Sequence, residues 1–229
     1  MVMKHHYGED KIRRFLKFEL DNYLRSRGGE VVEEVPLERV ENQPYIHYRK
    51  GSLVMYLLQE RLGEDRVNRA LRTVLDAHKF KGAPYARSSE LVAALRREAR
   101  TPEEQALITD LFQRITVYDL KVQAPTAVKR ADGQWDVTVP VEARKFYAAG
   151  KGAEKEAPLA DRIEIGLFTA EPGRGKFDRS NVIRMERMPI RTGKQILRFV
   201  SAKKPSHVGV DPYNFYIDRN SDDNLGKVE

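Results

Sequence analysis

Apolar residues recur at helical spacing in the first half of the chain and at alternate positions in the second, and the period changes near residue 115. From Tyr7 to Arg27, Ile12, Phe15, Leu16, Leu20, Tyr23 and Leu24 fall on one stripe, and Gly28-Gly29 predicts its stop. Residues 30–45 hold two prolines and many acids, which predicts a connecting loop. The spacing then predicts a second helix from about Ile46 to Leu62, with Leu53, Val54, Leu57, Leu58 and Leu62 inward, punctuated by Gly63-Glu64-Asp65. A third comes next with Val67, Ala70, Leu71, Val74 and Leu75 inward. Ser88-Ser89-Glu90 opens a fourth carrying Leu91, Val92 and Leu95. Thr101-Pro102-Glu103-Glu104 opens a fifth, since a hydroxyl cap, a first-turn proline and acids at the positive end of the helix dipole all favour a start there. It continues through Leu107, Ile108, Leu111, Phe112 and Ile115.

Beyond that point Trp135–Ala143 alternates cleanly, and the preceding Ala131-Asp132-Gly133 is a hairpin signal. Further strands are predicted at Val117–Gln123, Ile163–Thr169, Asn181–Met188, Gln195–Ser201 and His207–Val210, with Phe215–Ile217 as an additional candidate. Glycine-rich stretches at 149–153 and 173–175 separate them. The predicted class is α+β: an N-terminal helical bundle over residues 1–114 and an antiparallel β-sandwich over residues 115–229.

Composition narrows the picture. Hydrophobic residues make up 41% and charged residues 33% of 229, which suits a soluble domain, and no apolar run approaches the roughly 20 residues of a membrane span. Met1–Tyr7 lacks the apolar core of a signal peptide and reads as a helix entered part-way, so the chain is expected to be an excerpt. With no cysteine, disulfides and thiolate metal sites are excluded, while the compartment stays open. The net charge of +7 invites a nucleic-acid reading. Yet Lys and Arg number 21 against 18 acids before residue 115, and 20 against 16 from there on. A nucleic-acid binder gathers its basic residues, so no nucleic-acid partner is expected.

One segment carries chemistry. Tyr48-Arg49-Lys50-Gly51 opens an amphipathic helix that ends in Leu62-Gly63-Glu64. This is similar to the Tyr-Glu-Lys-Gly segment of the aminopeptidase N family of zinc metallopeptidases, where the tyrosine is catalytic. The order of the downstream elements is similar too: a helix after Leu-Gly, a segment like Ser89–Leu95, then a small β-sandwich. The runs Asp211–Asn214 and Ile217–Asn220 resemble the sandwich ending of bacterial members fused to ABC-type transporter permeases. The resemblance implies that residues 1–114 are the helical end of a thermolysin-like catalytic domain and residues 115–229 an immunoglobulin-like sandwich. It also implies that Tyr48 donates a hydrogen bond to the oxyanion of the tetrahedral intermediate; a phenol is neutral at pH 7 and rigid, and one such donor is worth roughly 10²–10³ in turnover. Lys50 either orients a neighbouring carboxylate or is a solvated helix lysine. Gly51 is expected to let another helix or the substrate strand come close.

The zinc motif is missing. His-Glu-x-x-His with a later glutamate is needed to bring two imidazoles and a carboxylate to one metal, and none of His5, His6, His47, His78 and His207 begins it. His5 and His6 are adjacent and cannot chelate as an i, i+4 pair does. Asp218–Glu229 places acids at several positions of a calcium loop, but Asp223 stands where that loop needs glycine, and an Asx-rich turn is the plainer reading. No Gly-x-Ser-x-Gly occurs, and Gly173-Arg174-Gly175-Lys176 lacks the spacing of a phosphate loop. The expectation is therefore a fragment of a zinc aminopeptidase that is not competent alone. Its partners would be the upstream zinc-binding part of the same polypeptide and, in that parent, a peptide substrate and a membrane transporter segment, the side of the membrane being open. The alternative is a non-catalytic pseudo-peptidase serving as an interaction module.

Overall fold

Thr101 Oγ1 accepts the Glu104 N–H at 3.2 Å, and Pro102 stands at the first helical position, so the last helix starts where its sequence directs. The computed structural model describes residues 2–29 and 31–229. Among them are six α-helices: α1 (Val2–Tyr7), α2 (Ile12–Gly29), α3 (Gly51–Leu62), α4 (Glu64–His78), α5 (Ser88–Glu98) and α6 (Pro102–Ile108). Nine strands accompany them: β1 (Ile115–Val122), β2 (Thr126–Lys129), β3 (Trp135–Ala148), β4 (Glu154–Ala157), β5 (Ala160–Phe168), β6 (Val182–Arg191), β7 (Gly193–Ser201), β8 (His207–Val210) and β9 (Leu225–Lys227). The class is α+β, helical first and sheet-forming after. No helix among the described residues is long and apolar enough to cross a membrane.

The chain folds as two compact units that interleave along the sequence. One takes residues 22–116 and 147–154; the other takes 1–21, 117–146 and 155–229. In the first, α3 buries all five residues of its predicted stripe, together with Val67 and Ala70 of α4, Val92 and Leu95 of α5, and Ile108 of α6. Each such leucine or valine is worth roughly 1.5–3 kcal/mol in apolar transfer. The stripe of α4 is only half used, since Leu71 and Leu75 are exposed. Arg66 of α4 forms a two-pronged pair with Glu104 of α6, at 2.6 and 2.9 Å.

The second unit holds two sheets. In one, β3 is the long central strand, pairing with β1, β2, β4 and β7. It alternates as predicted, with Val137, Val139, Val141 and Ala143 buried. The β2–β3 hairpin turns through Gly133 at φ 84°, a left-handed conformation that costs glycine little. The other sheet runs β6-β5-β8-β9 with antiparallel pairing throughout. Phe215–Ile217 is not a strand. The Asp211 carboxylate takes the N–H groups of Phe215 and Tyr216, both at 2.9 Å, so this backbone bonds to a side chain instead of a ladder. Strands β2, β4 and β9 are not predicted by the sequence pattern; each has three or four residues and no apolar alternation.

Candidate functional site

The segment bearing Tyr48 is not an ordinary helix start. Tyr45–Lys50 is π-helical, directly preceding α3, a form that occurs mostly as single turns and often at functional sites. Pro44 leads into it, and the Gln43 carbonyl accepts from both Ile46 and His47 N–H. The widened turn sorts its side chains sharply. Tyr45, Ile46 and Lys50 are buried, while His47 and Tyr48 are exposed, Tyr48 to 70%. The His47 and Tyr48 rings meet edge to face with centroids 4.5 Å apart.

Lys50 is 1% exposed, so the solvated-lysine reading is overturned: its stem has no route to water. Its Nζ lies 3.1 Å from Glu34 Oε1. The same oxygen accepts from the Tyr23 hydroxyl at 2.6 Å, and Oε2 accepts from Arg27 Nε at 2.7 Å. Arg27 Nη1 reaches Glu154 at 3.4 Å. Two cations thus face two carboxylates around a buried centre. The Tyr23 and Tyr45 rings stack at 6.1 Å and cover it.

The titrations reflect this arrangement. Burial pushes the Glu34 carboxyl up, but the Lys50 charge and three donated hydrogen bonds outweigh it, so Glu34 is held below the ordinary carboxylate range. Lys50 has one carboxylate partner and deeper burial; desolvation wins there and lowers its pKa despite Glu34. Both values fall, which favours the charged form of Glu34 and disfavours that of Lys50, because Glu34 has three donors and Lys50 one acceptor. Burial, then the charge and hydrogen bond of Glu34, raise the Tyr23 phenol well above its usual value, so it stays a donor.

Gly51 does not answer a close approach. A methyl there would meet Ile46 O at 3.6 Å and a Leu37 carbon at 3.8 Å, ordinary contacts with room to spare. The glycine that matters is Gly150, whose carbonyl accepts the Glu34 N–H at 2.9 Å. A methyl on Gly150 would collide with the Glu34 carbonyl oxygen, a backbone atom that cannot swing aside. Gly150→Ala is therefore expected to cost about 1–3 kcal/mol in denaturant titration, whereas Gly51→Ala stays near neutral. Equal effects at both positions would show that the approach at Gly150 is relaxed in solution.

Neither a protein-family model nor a curated protein matches the sequence. The functional reading therefore rests on the chain's own residues. Of the residues singled out from the sequence, the structure brings Tyr48, His47 and Lys50 onto one turn, with only the first two reaching solvent. Sequence reasoning misses Glu34, Tyr23 and Arg27 as members of a site. Arg27, Glu34 and Tyr45 line an open cleft of about 470 Å³ shared with Gly150 and Lys151, and Tyr48 is not among its lining residues.

The described residues do not fit a zinc site. Among those described, no three His, Asp or Glu side chains are gathered to hold a metal ion. His78 is engaged with Glu90 at 2.7 Å, and His207 with Ser206 at 2.9 Å. The terminal acidic run forms Asx turns, with Asp218 Oδ1 accepting from Asn220 N–H at 3.0 Å and Asn220 Oδ1 from Asp222 N–H at 3.4 Å.

Proposed function

We propose that the helical unit supplies Tyr48 as the oxyanion-stabilising donor of an aminopeptidase N-type metallopeptidase, whose zinc-binding part lies outside these 229 residues. The observation that supports this reading is the exposure of the phenol on a π-helical turn whose neighbour, Lys50, is locked into a buried ion pair. A donor serves catalysis only if it is both reachable and held, because a loosely held hydroxyl must be ordered at the moment of reaction. The phenol is reachable, and the buried Lys50–Glu34 pair anchors the backbone turn that carries it. Because the described residues gather no zinc ligands, the chemistry assigned to this chain is one act: the Tyr48 hydroxyl donates to a carbonyl oxygen as that oxygen gains negative charge. His47, packed edge-on against the ring, restricts its swing.

The test uses the full-length gene product. Tyr48→Phe is expected to lower turnover of an aminoacyl amide roughly 10²–10³-fold, the value of one lost oxyanion donor, with zinc content unchanged. The isolated 229-residue chain should hydrolyse none. Wild-type turnover in the phenylalanine variant would remove Tyr48 from the mechanism. A full-length product that neither holds zinc nor cleaves peptides would overturn the peptidase reading as a whole.

A further inference from the structure

The strand-bearing unit carries a second open cleft, of about 600 Å³, between the first turns of α2, the β5–β6 loop and the C-terminal residues. Five cations line it: Arg13, Arg14, Lys17, Arg174 and Lys227. Only two acids do, Glu171 and Asp222, and each is already engaged by one cation. Glu171 pairs with Arg174 at 2.7 Å and Asp222 with Lys17 at 3.0 Å. The other three cations have no carboxylate within ion-pair distance among the described residues. Arg13 donates through Nε to the Pro172 carbonyl, and Arg14 through Nε to Gly173 and through Nη2 to Gly175 at 3.5 Å, which fixes their position without cancelling their charge. Arg13 is only 7% exposed, and its Nη1 has no hydrogen-bond partner. A buried guanidinium nitrogen left unsatisfied is costly, and it marks a place where an acceptor is missing.

We propose that this cleft binds a phosphate monoester. The volume exceeds that of the phosphate group alone, so the ester's organic part would occupy the remainder. A dianionic phosphate offers acceptor oxygens to the guanidinium N–H groups not spent on those carbonyls, Arg13 Nη1 first, and balances most of the surplus charge. Lys17, Arg174 and their acids form the rim. Lys227 reaches the cleft from β9 and supplies a point charge beside His207, whose ring also lines it. The same chemistry is presented by a free phosphorylated metabolite and by the head group of a phosphatidic-acid-type lipid. The cleft asks only for the terminal phosphate.

The probe is inorganic phosphate, titrated into the whole chain and followed by NMR at the His207 ring and by calorimetry. Saturable binding with the His207 resonances moving ahead of those of His47 and His78 is expected. Arg14→Gln and Lys227→Gln, at exposed side chains, should each weaken it roughly tenfold, the worth of one charge-assisted hydrogen bond. Lys129→Gln, which removes a surface charge on β2, serves as the control. Co-sedimentation with phosphatidylcholine vesicles, with and without phosphatidic acid, separates the sources: lipid-dependent sedimentation lost in Lys227→Gln assigns the head group, and phosphate binding without sedimentation assigns a soluble ester. Absence of saturation with phosphate, or an equal loss in the Lys129 control, overturns the site.

Discussion

Glu34→Ala is expected to destabilise the helical unit by roughly 3–5 kcal/mol, the penalty for leaving a buried charge without its partner. Among the described residues Glu34 is the acidic group paired with Lys50 Nζ, and that lysine is itself 1% exposed. Its removal leaves an ammonium with neither counter-charge nor water, and takes the acceptor from the Tyr23 hydroxyl and from Arg27 Nε. The opposite substitution is milder. In Lys50→Met, Glu34 keeps Arg27 and Tyr23, and the methionine fills the space with no charge to solvate. The pair is therefore asymmetric, and the double variant Glu34→Gln/Lys50→Met should regain part of what Glu34→Gln loses, because the stranded cation is gone. Urea denaturation of the wild-type chain, Glu34→Ala, the two single variants of the cycle (Glu34→Gln and Lys50→Met) and the double measures this directly. Equal losses for the two single variants, adding without interaction in the double, would refute the picture of one shared buried centre. Because Lys50 and Tyr48 stand on the same π-helical turn, loosening this centre should also loosen the exposed phenol.

How far the fold and the site are legible in the sequence depends on which forces are local. The stripe of α3 and the alternation of β3 are legible because each residue's burial obeys a period of 3.6 or 2. The change of period near residue 115 coincides with the start of β1 at Ile115. The interleaving of the two compact units is not legible. Residues 147–154 join the helical unit through contacts such as the Glu34–Gly150 bond, which depend on chain return over more than a hundred residues. The motif marks Tyr48 and Lys50 as residues of interest, but nothing in it distinguishes a buried lysine from a solvated one. Glu34 is hidden more thoroughly. It lies among Glu33, Glu38 and Glu41 in a segment that reads as a plain acidic loop, and only the return of α2 and the π-helical turn to the same point selects it. The π-helical turn itself has no signature: its residues suit an α-helix, and packing of Tyr45 on Tyr23 accompanies the wider winding.

In the strand-bearing unit the expected result is a loss of stability as pH rises from about 5 to 8. Asp218 is fully buried, and desolvation pushes its carboxyl up to about 7, against the backbone N–H groups of Asn220 and Leu120 that favour the charged form. Asp211, also fully buried, is pushed well above the usual range by burial and by the nearby Glu164 and Asp218 charges. A carboxyl raised in the folded state binds its proton more tightly there than in the unfolded chain. Its contribution is complete below the ordinary carboxylate value and disappears as pH passes through the folded value. For Asp218 that displacement amounts to roughly 4 kcal/mol at about 1.4 kcal/mol per pH unit. Groups with lowered values work the other way, and two of them bear on the measurement. His207, lowered first by burial, favours folding as pH rises through its ordinary value, but it is only partly buried and its share is smaller. Glu34 of the helical unit loses its contribution only under acid conditions, as pH falls through its lowered value. The single tryptophan, Trp135 on β3, reports on this unit by fluorescence. Its denaturation midpoint should be higher at pH 5 than at pH 8. Asp218→Asn should flatten that slope while lowering stability at pH 5, because its amide nitrogen cannot accept one of the two backbone N–H groups. A slope that the asparagine variant leaves unchanged would mean that Asp218 is ionised in the folded chain at both pH values, its two N–H donors having outweighed its burial.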